Sequence, residues 1–304
     1  MTVAAVPPQV EAPFATALVE LGRRRDDVVV LSADLSKYTD VLPFAEAFPD
    51  RFFQVGMAEA NMMGIAGGLA KTGRLPIAVT YGVFATRRAY DQVAMALCTG
   101  PSRGIVVAFL PGITTPFKAT HQAIDDLALM RALAGMIVID PTDATELAAA
   151  LDFAVAASGP VYIRGLRGTV PRLFDADGFG LREREVAAGG EIAVVSTGLG
   201  TQWVLEAAEL LHGRASILHV PVLKPFPADA VASFASHFDA VTTVENHSII
   251  GGLGSAVAEA LSEHGVGARL RRLGVPDRWA PAGSVDHIRR ELGLDARGIA
   301  EAVR

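Results

Sequence analysis

Cysteine is almost absent. Cys98 is the single one among 304 residues, so no internal disulfide can form and a reducing compartment is expected. It has no activating neighbours in sequence and reads as a core residue. Long hydrophobic runs are missing as well: apolar runs such as 104–110 and 137–139 have at most the length of strands and fall far short of the ~20 residues of a membrane-spanning helix. No basic block stands out and the formal net charge is −6, which argues against nucleic acid as a partner. No charged segment followed by an apolar stretch opens the chain, so no secretory leader is expected and the location is read as cytoplasmic. What is present is apolarity: 51% of residues are hydrophobic and mean hydropathy is +0.35. Apolarity without spans points to parallel strands buried on both faces, and to an oligomer.

Short β-rich runs at 27–32, 75–79, 105–109, 136–140 and 161–164 alternate with helical patterns at 14–23, 59–70, 88–97, 126–133 and 144–157. Alternation of this kind builds βαβ units around a parallel sheet. Between 165 and 190 the texture changes to Gly, Arg, Asp and Glu without a period, as in a linker. Alternation then resumes, with strands expected at 192–196, 216–220, 240–245 and 268–273 and helices at 203–211, 228–234 and 252–264. The fold class is α/β, with two doubly wound domains at 1–166 and 190–304 joined by a linker at 167–189.

The most informative segment is RFFQVGMAEANMMGIAGGLAKTGR, residues 51–74. A helix rich in small residues can be approached closely by another backbone, and its first turn holds one carboxylate, Glu59. A helix dipole alone could explain that residue. Further on, TYGVFATRRAYDQV (80–93) brings Phe84 and Tyr90 to the start of a helix, where aromatic residues are often simply core. ATHQ (119–122) sets His121 in a loop after a strand. All these segments follow or lie near strand C-termini, where parallel sheets bind ligands.

The order of these segments, with DVVVLSADLS before them and VIDPTDATE, VYIRGLRG and ENHSIIGGLGSAV after, resembles the second half of transketolases over roughly residues 27–255. The resemblance is closest to the small subunit of split bacterial enzymes, a pyrimidine-binding domain followed by a C-terminal domain. It implies that Glu59 hydrogen-bonds a ring nitrogen of the aminopyrimidine of thiamine diphosphate, favouring the imino tautomer that deprotonates the thiazolium carbon. It implies that Phe84 and Tyr90 pack against the pyrimidine, with Arg87 standing where an aromatic is common and stacking as a guanidinium. Asp34 matches an acidic residue near the cofactor and dimer interface, or is a helix N-cap. His121 matches a histidine that contacts donor and intermediate oxygens. Arg164 matches an arginine that binds substrate phosphate, or forms a strand-end salt bridge. Glu245 and His247 are implied to be structural or interfacial, and Gly251, Gly252 and Gly254 to make a tight turn; a phosphate cradle there lacks the dinucleotide spacing.

In this family the diphosphate is held through a divalent ion, Mg2+ or similar, by a segment that begins Gly-Asp-Gly. The sequence contains none, its nearest approach being Ala176-Asp177-Gly178. The resemblance therefore implies a partner, a diphosphate-binding N-terminal transketolase-type subunit, in an α2β2 heterotetramer that shares the cofactor and carries the metal on the partner. Apolar surface on the first domain would then be interface.

Several substrate-side positions depart from the family. Phe117 and Lys118 stand where phosphosugar transketolases carry Asp-Gly, Leu110 where a histidine is common, and Tyr38 where a phosphate-binding serine is usual. A phenylalanine cannot accept a sugar hydroxyl, and a buried unpaired hydroxyl costs ~1–3 kcal/mol. These changes point to an acceptor other than an ordinary pentose or tetrose phosphate, while Arg164 and Lys118 keep an acidic one open. Competing readings are the β subunit of a 2-oxoacid dehydrogenase decarboxylase, a non-catalytic scaffold, and a self-contained thiamine enzyme, the last in conflict with the missing diphosphate segment.

Overall fold

A computed structural model describes residues 7–100, 103–176 and 179–304. Asp177 and Gly178, of the sequence's nearest approach to a diphosphate motif, lie outside the described residues. Contacts divide the described residues into two units: 7–111 with Leu129–Leu181, and Gly112–Ala128 with Arg182–Arg304. The segment carrying His121 thus packs within the second unit, a grouping that cuts across the boundary expected at 166.

The first unit is built on a parallel sheet whose strands run in the order Ile137–Ile139, Val161–Arg164, Ile105–Phe109, Leu75–Tyr81, Val28–Ser32 and Phe52–Gln54. Every residue of the four strands from Val161–Arg164 to Val28–Ser32 in that order is buried. That is why they appear in sequence as unbroken runs of Val, Ile and Leu rather than as alternation. Pro13 starts the helix Pro13–Arg24, where its missing N–H costs nothing, and Arg23 and Arg24 close it at the negative end of the dipole. The helix Ala144–Ala156 is capped by Asp143, which accepts from Glu146 N at 2.7 Å. Asp143 also accepts from Leu173 N and Phe174 N at 2.7 and 2.9 Å, and burial pushes its carboxyl above the usual range.

The helix Glu59–Lys71 lies against the segment that follows the strand Leu75–Tyr81. A Cβ on Gly67 would stand 2.5 Å from Ala96 O, so only glycine permits that approach. The helix expected at 88–97 is instead a π-helical turn at Phe84–Arg88, a short α-turn at Tyr90–Gln92 and a second π-turn at Val93–Leu97. Cys98, expected in the core, is half-buried where that segment ends. The segment read as a linker carries strands at both ends: Thr169–Pro171 pairs antiparallel with Gln9–Glu11, and Arg184–Ala187 joins the second unit's sheet.

That second sheet has the order Arg269–Val275, Ala240–Ser248, Ile192–Ser196, Ala215–His219, Arg184–Ala187, with only the last pair antiparallel. Helices Gly198–Leu210, Ala228–Ala235 and Leu253–Glu263 alternate with its strands. The chain's last part adds Val285–Leu292 and Ala296–Ala302, capped by Ser284 and Asp295 and absent from the sequence reading.

Candidate functional site

Glu59 opens its helix and is 1% exposed, a rare state for a carboxylate unless it is paired. Its partner is Arg88, whose Nη1 donates to Oε1 at 3.1 Å and to Oε2 at 2.9 Å. The Arg88 guanidinium lies 4.3 Å from the Phe84 ring centroid, and Phe84 in turn stacks against Tyr81, at 6.0 Å and 26°. The π-turn Phe84–Arg88 makes this possible. Its wider winding puts Phe84 and Arg88 on one side and turns Arg87, the arginine singled out in the sequence, to a half-buried position of its own. Tyr90 is half-buried and donates its hydroxyl to Leu129 O at 2.9 Å. Burial raises the Tyr81 hydroxyl pKa, with Arg167 opposing the shift.

This arrangement fits an aminopyrimidine. A planar nitrogen donor, here the Arg88 guanidinium, already rests on an aromatic face while hydrogen-bonding a buried carboxylate, and an aminopyrimidine makes the same two demands. Glu59, Phe84 and Tyr81 are the residues of this unit that would receive it. Arg88 and Tyr81 were missed in sequence, although the doublet Arg87-Arg88 at the entry of a helix following an aromatic residue was a visible signal.

Asp34 is exposed, with φ 60°, and its backbone N–H donates to Gln54 Oε1 at 2.6 Å. It does not cap the turn Ser36–Tyr38, whose preceding residue is Leu35 and which has no side-chain cap. Tyr38 is 48% exposed, with the Arg167 guanidinium 6.0 Å from its ring centroid. Leu110 is half-buried in the left-handed backbone region, φ 55°. Arg164 departs from the substrate-facing role that the resemblance implies. It is fully buried, with Nη1 3.3 Å from Asp140 Oδ2, because it ends a strand enclosed on both faces. The exposed cation of VYIRGLRG is Arg167.

In the second unit the loop Gly112–Ala128 presents Phe117, 62% exposed, with its ring 5.2 Å from that of His121. Lys118 is exposed in the left-handed region and opens the single turn Lys118–Thr120. His121 Nδ1 lies 3.0 Å from Thr120 Oγ1, and that hydroxyl donates to Phe117 O. Glu245 and His247 are fully buried. Glu245 accepts from Leu253 N and Gly254 N at 2.7 and 2.9 Å. The first amides after the glycine turn are thereby taken by a protein carboxylate, which overturns a phosphate cradle there. A Cβ on Gly252 would stand 1.9 Å from Glu245 Oε2, which explains the glycine.

Residues 7–172 match the pyrimidine-binding domain of transketolase, and residues 182–299 match the transketolase C-terminal domain. The chain is 40% identical to an uncharacterized transketolase family protein of Sinorhizobium fredii, over 96% of this chain and 87% of that one. It is 38% identical to a 6-deoxy-6-sulfo-D-fructose transketolase subunit of a Clostridium strain, over 95% and 91%. With 1-deoxy-D-xylulose-5-phosphate synthase 1 of Geobacter sulfurreducens the identity is 33% over 95% of this chain but 46% of that one. Among solved structures, a split gene transketolase described as an inactive beta4 tetramer superposes with a TM-score of 0.87 at 40% identity, covering 96% of this chain and 95% of that one. Transketolase of Pichia stipitis has the same fold, with a TM-score of 0.80 at 20% identity over 97% of this chain and 45% of its own.

Proposed function

The chain belongs to the transketolase family, and from that premise we propose that it is the coenzyme-activating subunit of a two-chain, thiamine diphosphate-dependent ketol transferase acting on an anionic sugar. The observation that carries the reading is Glu59: a buried carboxylate beside an aromatic ring, in the segment whose sequence resembles the family's coenzyme-activating one. When bound, thiamine diphosphate supplies the nucleophilic carbon that accepts a two-carbon ketol unit. Glu59 holds and shares the proton at the pyrimidine ring nitrogen, and its burial keeps water from competing for that hydrogen bond. Phe84 and Tyr81 offer a flat apolar wall to the ring. His121 donates a hydrogen bond to substrate oxygens on which negative charge develops.

The anionic substrate is supported by two exposed cations, Arg167 beside Tyr38 and Lys118 on the His121 loop. A sulfosugar transketolase subunit among the relatives fits the same charge. Exposed Phe117, in place of the family's hydroxyl-binding aspartate, favours an acceptor with fewer hydroxyls to satisfy at that point. The partner would bind the diphosphate and its divalent ion in an α2β2 assembly, since the 304 residues hold no Gly-Asp-Gly. Its seat is supported by apolar side chains in the open around the Glu59 helix: Met57 at 77%, Met95 at 56%, Phe53 at 42% and Ile65 at 36% exposure. Gly64 and Gly68, on the same helix, have open space where a side chain would be, so a partner backbone can come close.

The test is reconstitution with a diphosphate-binding partner chain, thiamine diphosphate and Mg2+, reading both ketol transfer and exchange of the thiazolium C2 proton by NMR. Glu59→Gln should slow both by about 100-fold or more while leaving assembly intact. Unimpaired C2 exchange in that variant would remove the basis of the reading.

A further inference from the structure

We propose that Asn246 is a positioning residue: through it the C-terminal unit holds the loop that carries Phe117, Lys118 and His121 in its working shape. Gly112 N donates to Ala123 O at 2.8 Å, which closes the base of a loop whose tip carries the three residues. That base sits on the end of the strand Ala240–Ser248, and successive residues of this end grip it. Asn246 Oδ1 accepts from Ile113 N at 2.9 Å, in full burial. His247 Nε2 accepts from Ala128 N at 3.4 Å, and Ser248 N donates to Ile124 O at 2.7 Å. The entry, the return and the continuation of the loop are therefore each tied to one of three consecutive residues.

The fit at the entry is close. Gly112 has φ +57°, and a Cβ there would stand 2.1 Å from Asn246 Oδ1 and 2.2 Å from Asn246 O. Gln122, next to His121 in the chain, is fully buried and donates to Thr115 O at 3.1 Å and to Pro281 O at 3.2 Å, which braces the loop from inside. Neither Asn246 nor Gln122 is open to solvent, and a buried amide that satisfies a loop's backbone has no substitute in water when it is lost. The glutamate of the same strand end has a separate task, since its carboxylate caps the helix Leu253–Glu263. The stretch Glu245–Ser248 thus both starts that helix and clamps the loop. This strand end serves the reaction by fixing the loop that bears the substrate-side residues, without touching substrate itself. The kinetic part of this inference rests on the ketol-transfer reading; the clamp does not.

The experiment compares Asn246→Ala with Thr201→Ala in the reconstituted complex. Thr201 is buried in the same unit, and its hydroxyl bonds Ser196 and His219 and not the loop, so it controls for destabilisation alone. In Asn246→Ala, hydrogen–deuterium exchange should show amides 112–124 losing protection. For the ketose donor, kcat/KM should fall about tenfold or more, because misplacing a substrate-contacting group is costly, while the Kd of thiamine diphosphate stays within about twofold. Thr201→Ala should lower Tm with kcat/KM within about twofold. Retained protection in Asn246→Ala, or lost protection with unchanged kcat/KM, overturns the proposal, as does an equal kinetic loss in Thr201→Ala. If Asn246→Ala does not fold, Asn246→Ser, too short to reach Ile113 N, takes its place in the same comparisons. If the wild-type complex transfers no ketol unit, the functional reading fails and amide exchange alone decides the clamp.

Discussion

One nitrogen of Arg88 serves both carboxylate oxygens of Glu59, at 2.9 and 3.1 Å, and the arginine is half exposed while the glutamate is buried. The glutamate therefore depends on a cation that solvent, or an incoming ring, can reach. Removing one partner of a buried pair leaves the other charge unsatisfied, which costs ~3–5 kcal/mol where both are buried. With Arg88 half in water the cost falls to roughly 1–3 kcal/mol, that of leaving a buried acceptor unsatisfied. Arg88→Ala should lower the unfolding free energy of the isolated chain by that amount, read as a lower urea midpoint, and Arg88→Lys should restore part of it. A midpoint unchanged in Arg88→Ala would mean that Glu59 does not rely on this ion pair.

The two arginines of VYIRGLRG answer to different measurements. Arg164 is enclosed with Asp140, so Asp140→Asn should destabilise the fold by about 3–5 kcal/mol, seen as a drop in Tm. Arg167 is exposed beside Tyr38, and Arg167→Ala should leave Tm within a degree or two, as surface substitutions do. Its effect should appear as a rise of about tenfold in KM for an anionic sugar, with little change for an uncharged analogue. If Arg167→Ala weakened both substrates alike, the anion-binding assignment would fall.

Much of this layout was legible in the chain. Strands such as Ile105–Phe109 are unbroken apolar runs, a pattern that burial on both faces produces and that composition alone exposes. Glu59 and His121 could be singled out because a carboxylate among small residues and a loop histidine after a strand are locally odd. The π-turns were not legible, since one extra residue per turn leaves hydrophobic spacing almost unchanged while altering which arginine faces Glu59. Three-residue strands such as Phe52–Gln54 and Thr169–Pro171 are too short to display a period. The hydrogen bond from Ile113 to Asn246 spans 133 residues of sequence, and nothing local announces it.

Met57 and Met95 are the most exposed apolar residues near the Glu59 helix, at 77% and 56%. Methionine adapts to irregular apolar surfaces, and a charge in its place is costly once a partner covers it. The double variant Met57→Glu, Met95→Glu should keep the Tm and circular dichroism of the isolated chain while failing to co-elute with the diphosphate-binding partner. Retention of a stable complex by that variant would place the partner's seat elsewhere.

His264 links two helices of the second unit: its Nε2 lies 2.8 Å from Asp229 Oδ1 and its Nδ1 2.9 Å from Ala260 O. The hydrogen bond to Asp229, helped by the Ala260 carbonyl, raises its pKa above the ordinary 6.5. Folded protein therefore binds this proton more tightly than unfolded chain does, and the resulting stability is full below about pH 6.5 and fades as pH climbs through the raised value. Asp229→Asn should remove it. The Tm difference between wild type and variant should be widest near pH 5.5 and close at alkaline pH. Because Asp229 is exposed, 0.5 M salt should narrow the gap at the lower pH as well. A Tm difference independent of pH would show that the contact acts through packing of the two helices instead of through charge.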